Sequence, residues 1–327
     1  MTTSAVEVTD LVMAYAGRRV VDGVSLSAPG GAITVVLGPN GAGKTTTIET
    51  AEGFRVPQAG TVRVLGCDPI TQARALKPRV GVMLQSGGVW PSVQAGDMLA
   101  HVARMYAHPL AVGSLLERLA LTRVARTPFR RLSGGEQRKL ALSCALVGRP
   151  ELVFLDEPTT GLDPESRVSV WALLRQLRDA GVSVVMTTHL LDEAHQLADH
   201  VVVIVAGGIV AAGSVAELTA VPALRFTARP GLEVADLTRS LPPGFAAAEP
   251  VAGQYRVEGP ITAEVLASVT AWCAASGAMP TQMSTSGSLA EAYFELTAQA
   301  ARNTQAAADS RTARDSRAAR AARETGR

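Results

Sequence analysis

Eight residues, Gly38-Pro39-Asn40-Gly41-Ala42-Gly43-Lys44-Thr45, follow directly on the apolar run Ala32–Leu37 and leave the chain few folds to choose from. Their spacing is GxxxxGK[ST]. The glycines let backbone N–H groups turn inward around phosphate oxygens, and the start of the helix that follows adds partial positive charge. Lys44 is placed to reach the β- and γ-phosphates of a nucleoside triphosphate. Thr45, with Thr46 beside it, offers a hydroxyl to Mg²⁺, a hard ion that takes oxygen ligands. Such a loop functions between a buried strand and a helix, so an α/β architecture is expected around it.

The surrounding sequence agrees. Leu152–Leu155 and Val182–Thr188 are further short apolar runs, each followed by a helix-compatible stretch, as in a mostly parallel sheet with helical crossovers. Ala5–Val12 and Gly60–Leu65 read as antiparallel strands beside it. Hydrophobic residues make up 47% of the chain and aromatics 4%. The core must therefore be built from Val, Leu, Ile and Ala, as in buried parallel strands. The most apolar stretch, Val201–Gly213, is shorter than the ~20 residues of a membrane-spanning helix. Its Gly207-Gly208 pair divides two β-branched runs, which is a hairpin pattern. The first residues carry no basic region followed by an apolar one, so no secretion signal is expected. A soluble chain follows, with any membrane spans on another polypeptide. Cys67, Cys144 and Cys273 form no CxxC pair and read as small buried hydrophobes in a reducing compartment. A net charge of +2 gives no reason to expect nucleic acid as a partner.

Two further elements carry chemistry. Leu152-Val153-Phe154-Leu155-Asp156-Glu157 is an apolar strand ending in two carboxylates. Beside a phosphate cradle, Asp156 would hold Mg²⁺, through water, and Glu157 would polarise an attacking water. Leu132-Ser133-Gly134-Gly135-Glu136-Gln137 places a serine and two glycines at a helix start, a second anion-binding N-terminus.

On these residues the chain resembles the ATP-binding-cassette superfamily, whose signature is LSGGQ or LSGGE. The resemblance spans residues 5 to 218. It implies that the signature of one subunit (Ser133, Gly134, Gly135, Glu136) covers the γ-phosphate held in the cradle of the other, so that a two-fold dimer encloses two ATP molecules. Other positions take family roles. Tyr15 stacks on adenine. Gln85, after the strand-like Val80–Leu84, touches Mg²⁺ and the water and couples the site to a transmembrane partner. Asp163, in Thr160-Gly161-Leu162-Asp163, lies on a loop that crosses the dimer interface. His189 reaches the γ-phosphate. The resemblance thus makes Glu157, His189 and Lys44 catalytic and gives Mg²⁺ to Thr45, Gln85 and Asp156.

The segments His189–Ala194 and Gly161–Pro164 look most like the drug and antibiotic exporter ATPases. The expectation is an ATPase subunit, cytoplasmic and peripheral at the inner face of the cell membrane. It would close as a homodimer and drive export of a drug, antibiotic or lipid-like compound through a separate permease contacted near Gln85–Leu99. The alternatives are a soluble non-transport cassette ATPase or an importer ATPase. No heptad run separates cradle from signature, and the chain holds one cassette, against the soluble class. The mixed pattern after Val221 is unlike the β-barrel regulatory domain of importers.

Residues 1–220 are thereby assigned to the ATP-binding domain and 221–297 to a small accessory domain. Within the latter, Leu224–Ala228, Glu233–Ser240, Phe245–Ala248, Gln254–Glu258, Ala263–Ala275 and Pro280–Ser284 follow the order β-α-β-β-α-β of a ferredoxin-like α+β fold. Ser288–Thr297 reads as a closing helix. Residues 298–327 contain no Val, Ile, Leu, Met, Phe, Tyr or Trp and hold seven Arg against three acids. Such a segment cannot offset its ordering entropy by burial and is expected to be disordered. Arg311, Arg314, Arg317, Arg320 and Arg323 recur at every third residue, which suits a contact with anionic lipid or an acidic partner.

Overall fold

The computed structural model describes residues 3–84, 90–220, 223–285, 288–300 and 302. In chain order the first part contains β1 (Ser4–Tyr15), β2 (Arg18–Pro29), β3 (Ile33–Leu37), α1 (Lys44–Ala51), β4 (Ala59–Val64), α2 (Ala73–Leu76) and β5 (Val80–Met83). There follow α3 (Ala95–Ala103), α4 (Val112–Arg118), α5 (Gly134–Leu146), β6 (Leu152–Asp156), α6 (Pro164–Asp179) and β7 (Ser183–Thr187). α7 (Leu191–Leu197), β8 (His200–Val205), β9 (Gly208–Gly213) and α8 (Val215–Leu218) complete it. The chain falls into two compact units: the first runs to Val215 and takes up the chain again from Glu295, and the second spans Ala216–Phe294.

The first unit is organised by a six-stranded sheet of order β5-β6-β7-β3-β8-β9. β5, β6, β7, β3 and β8 are parallel, and β9 returns antiparallel to β8. Every residue of β3, β6 and β7 is buried. Their sequences are apolar without alternation because both faces are covered, one of them by α1 and the strands β1, β2 and β4, whose Ile48, Val8, Val24 and Val62 pack with Val36, Phe154 and Val185. The expected hairpin is β8–β9, but its turn is Ala206-Gly207, both at positive φ (50° and 83°), with Gly208 already in strand. A two-residue turn that follows the right-handed twist of the strands requires positive φ at both positions.

A second sheet, β2-β1-β4, is antiparallel throughout. Its β1 and β4 match the expected strands. β2 is an additional strand, beyond those expected. Val21, Val24, Leu26 and Ala28 are its buried side chains; the two-residue period holds from Val24 to Ala28 and is broken between Val21 and Val24, where the pairing with β1 shifts register.

The second unit contains β10 (Ala223–Thr227), α9 (Val234–Ser240), β11 (Ala246–Val251), β12 (Gln254–Glu258), α10 (Ala263–Ala275) and β13 (Thr281–Ser284). Its strands run in the order β11-β12-β10-β13, all pairs antiparallel. This is the ferredoxin-like arrangement expected from the element order. The core packs Leu224, Phe226, Tyr255, Val257, Val265 and Trp272 together. The Tyr255 ring lies 5.3 Å from Phe226 and 5.6 Å from Trp272. Its hydroxyl donates to the Arg229 carbonyl (2.8 Å) and accepts from Leu232 N–H (3.0 Å), so this polar tip is satisfied within the core.

Residues 289–300 are helical. Ser288 and Glu291 start them with reciprocal side-chain-to-backbone bonds. The arginine series from Arg311 to Arg323 lies outside the described residues. Among the described residues no helix is long and apolar enough to cross a membrane. The three cysteines are free; Cys273 is buried and Cys67 and Cys144 half-buried. Burial pushes the Cys144 thiol up to about 12, which makes it inert at neutral pH.

Candidate functional site

Parallel register brings the chemistry to one edge. Val36 of β3 pairs with Thr187 of β7, which pairs in turn with Asp156 of β6. The loops leaving the carboxyl ends of these adjacent strands begin at Gly38, Glu157 and Thr188. This is where parallel α/β sheets place ligands.

Gly38–Gly43 bridges β3 and α1. A Cβ on Gly38 would lie 2.2 Å from the Ile204 carbonyl of β8. Gly43 has φ +103°, and a Cβ there would lie 2.8 Å from the Val20 carbonyl of β2. The walls on either side thus leave room for backbone only. The hairpin turn closes the cradle from beneath, with Gly207 N–H donating to the Ala42 carbonyl (3.0 Å). Gly43 caps α1 without a side-chain acceptor. The first amides of the helix are therefore left for an outside anion. Pro39, Asn40, Gly41 and Thr45 are exposed along the rim, and Thr46 is half-buried. Lys44 is buried and donates to the carbonyls of Gly38 (2.7 Å) and Pro39 (3.0 Å). Burial lowers its pKa, and the nearby Glu157 and Asp156 carboxylates oppose the shift.

The acid pair stands beside this loop. Thr187 Oγ1 donates to Asp156. Burial, then the charges of Glu157 and Glu49, push the Asp156 carboxyl up, against that hydrogen bond and Lys44. Glu157 has φ +49°, a left-handed conformation that is costly for a non-glycine residue. Its N–H donates to the Thr187 carbonyl (3.2 Å) and lies 3.1 Å from Thr187 Oγ1. Its carboxylate meets His189 Nδ1 at 3.1 Å through Oε1 and accepts from Thr160 Oγ1 at 3.1 Å through Oε2. Burial alone would raise its pKa. The hydrogen bonds from His189 and Thr160, with the charges of His189 and Lys44, bring it below the usual carboxylate range. The structure thus joins Glu157 to His189 and keeps Lys44 within electrostatic reach.

Ser133 caps α5. Its Oγ accepts from Glu136 N–H (3.2 Å), and Glu136 Oε2 accepts from Ser133 N–H (2.7 Å). The hydroxyl hydrogen of Ser133 remains available for donation to an outside oxygen. Ser133 and Gly134 are exposed, and Gly135 is half-buried, with Leu162 3.2 Å from where its Cβ would be. Asp163 caps α6 through Ser166 N–H (2.8 Å) and is exposed. Tyr15 ends β1, and the Arg55 guanidinium lies 5.3 Å from its ring centroid. A base could stack only on the opposite face. Gln85 lies outside the described residues.

Several side chains that hold this site carried no recognisable spacing. Arg138, one turn into α5, donates to the carbonyls of Asp156 (3.3 Å) and Glu157 (3.2 Å). Lys139 donates to Ser166 of α6 (2.8 Å). The signature helix is therefore bonded to the backbone of the acid pair in its own chain. The polar ending of the run Val182–Thr188 was the sequence signal for Thr187. For Arg138 there was none.

A family model described as ABC transporter matches residues 21–160. The daunorubicin/doxorubicin resistance ATP-binding protein DrrA of Streptomyces peucetius is 39% identical over 221 residues, covering 66% of this chain and 67% of that protein. The Nod factor export ATP-binding protein I of Ralstonia nicotianae is 38% identical over 221 residues, 66% and 69% of the two chains. Among solved structures, the ATP-binding subunit of an ABC transporter superposes with a TM-score of 0.61 at 24% identity, over 66% of this chain and 92% of that one. A dimeric ATP-binding cassette in a post-hydrolysis state, bound to ADP and Pi, gives 0.59 at 21%, over 64% and 98%. At these identities the solved structures establish the fold.

Proposed function

The chain belongs to the ATP-binding-cassette transporter family, and on that premise we propose that it is the ATP-hydrolysing subunit of an exporter, driving a drug-, antibiotic- or lipid-like compound outward through a separate membrane permease. The observation that carries this reading is the Glu157–His189 hydrogen bond at the strand edge beside Lys44. The names of the drug-resistance and Nod-factor-export relatives support the outward direction.

In this reading Gly38, Pro39, Asn40, Gly41, Ala42, Gly43, Thr45 and Thr46 hold the triphosphate, and Lys44 exchanges its loop carbonyls for phosphate oxygens. Tyr15 stacks on the base. Asp156, Thr45 and Gln85 are the residues to hold Mg²⁺. Burial first, and then the charges of Glu157 and Glu49, disfavour the Asp156 carboxylate beyond what Thr187 and Lys44 offset, and a cation would relieve that cost. The ion would supply charge neutralisation at the phosphates. Ser133, Gly134, Gly135 and Glu136 of a second subunit, with Asp163, complete the site on dimer closure. Glu157, held ionised, orients the attacking water and takes its proton as the bond from the γ-phosphorus to ADP breaks. His189 and Lys44 stabilise the charge on the transferring group. Release of phosphate opens the pair, and the permease converts that motion into transport.

Residues 1–220 are the engine in this account and 221–297 an accessory domain. The permease holds the subunit at the inner face of the membrane, and the +4 charge of residues 298–327 supports an added contact with anionic lipid. The test is reconstitution with the permease in inside-out vesicles, with daunorubicin among the probes. ATP-dependent accumulation that Lys44→Ala abolishes is expected. ATP-dependent depletion of vesicle contents would overturn the outward direction.

A further inference from the structure

We propose that Glu193 is a positioning residue that locks Glu157 and His189 into their working geometry, an inference that rests on the reading of that pair as catalytic. Glu193 lies in the first turn of α7 and is 1% exposed. Its Oε1 accepts two hydrogen bonds, from Thr159 Oγ1 at 2.7 Å and from Trp171 Nε1 at 3.0 Å. Three elements meet at that one oxygen: the turn after β6, the middle of α6, and α7.

The connection to the site is short on both sides. Thr159 is two residues past Glu157, in a turn held by Thr160 N–H to the Glu157 carbonyl (3.3 Å) and Leu162 N–H to the Thr159 carbonyl (3.1 Å). Glu193 is four residues past His189, whose segment is fixed by Leu190 N–H donating to Thr188 Oγ1 (3.0 Å). The Thr159–Glu193 bond therefore closes a ring through both arms of the Glu157–His189 pair. Without it, nothing among the described residues ties the backbone of the turn after the left-handed Glu157 to the His189 segment, and the pair is joined through its own side chains alone.

A purely stabilising role accounts poorly for this residue. Its Oε2 is buried with no hydrogen-bond partner among the described residues. An apolar side chain of similar volume would join the same three elements without burying an unmatched oxygen. Orientation, which apolar packing specifies loosely, is what a directed hydrogen bond adds.

The experiment compares Thr159→Val, Thr159→Ser, Glu193→Gln and Glu193→Ala with Glu157→Gln and the unaltered chain. It measures ATP affinity of the monomer, steady-state kcat and KM, and melting temperature. Thr159→Val keeps shape and loses only the hydroxyl, so it tests the idea even if Glu193→Ala fails to fold. Thr159→Val and Glu193→Ala should lower kcat about 10- to 100-fold with ATP affinity and KM nearly unchanged, the signature of a misplaced reacting group. Thr159→Ser and Glu193→Gln, which keep the hydroxyl and the Oε1 acceptor, should restore most of kcat. The double variant Thr159→Val/Glu193→Ala should be no slower than the worse single one. Full kcat in folded Thr159→Val, or losses that follow melting temperature across all four variants, would overturn the positioning role while leaving the catalytic pair intact. If Glu157→Gln itself hydrolysed ATP normally, the reading of the pair would fail instead.

Discussion

Glu52 sits at the C-cap of α1, where a negative charge meets the negative end of the helix dipole. It borders a cavity of about 1070 Å³ shared with Phe54, Ile70, Val82, Met105 and Tyr106. Burial, and then the charges of Asp156 and Glu49, push its carboxyl from an ordinary value of 4.5 up to about 8. The folded protein thus holds a proton that the unfolded chain releases, and stability falls as pH rises from about 4.5 through about 8. The full excursion corresponds to about 5 kcal/mol. Water that reaches the carboxyl and local relaxation reduce this to roughly 2 kcal/mol. Glu52→Gln is neutral at every pH and nearly the same shape. It should be close to the unaltered chain in urea unfolding at pH 5 and more stable by roughly 2 kcal/mol at pH 9. Comparing the two proteins at each pH cancels the contribution of the second unit. An equal difference at both pH values, or greater stability of the unaltered chain at pH 9, would refute a carboxyl held neutral by its surroundings.

Three other outcomes are expected. Tyr255→Phe should destabilise the second unit by about 1–2 kcal/mol, seen as a lower unfolding midpoint in Trp272 fluorescence, because the Arg229 carbonyl and Leu232 N–H lose their shared partner. Ser133→Ala should cost about 1 kcal/mol through the lost cap of α5. It should also lower ATPase activity with no change in ATP affinity of the monomer, read by nucleotide fluorescence. Removing residues 298–327 should leave phosphate release unchanged in solution and reduce sedimentation with anionic vesicles, increasingly so at low salt.

What could be read from sequence was whatever depends on local chemistry. Gly38–Thr45 announces itself because glycine spacing, a lysine and a preceding buried strand are all needed to wrap phosphate. Asp156-Glu157 is visible because it ends an apolar run of a parallel sheet, and His189, also at a strand end, is marked by the family resemblance. The second unit was legible from turn residues and from Leu224, Phe226, Tyr255 and Val257, which alternate along their strands. Hidden were the contacts that depend on tertiary approach. Nothing in the spacing of Arg138 says that its guanidinium reaches the carbonyls of Asp156 and Glu157. Nor does the spacing of Glu193 show that Thr159 and Trp171 converge on one of its oxygens. β2 is harder to read because the three-residue step from Val21 to Val24 interrupts its alternation and because Ser25, Ser27 and Ala28 are small residues with little strand preference. The hairpin turn shifted by one residue because Ala206, which has no sequence preference for positive φ, accepts the strain.

In the proposed function one chain holds halves of two different ATP sites, so that hydrolysis requires a pair. Glu157→Gln keeps the cradle and the signature while removing the base, so bound ATP should persist and hold the pair closed. Light scattering after gel filtration in ATP and Mg²⁺ should give twice the mass of the chain. The mass should return to that of one chain in ADP, or when Lys44→Ala is added. A Glu157→Gln protein that binds ATP to saturation and still runs as a single chain would contradict the account.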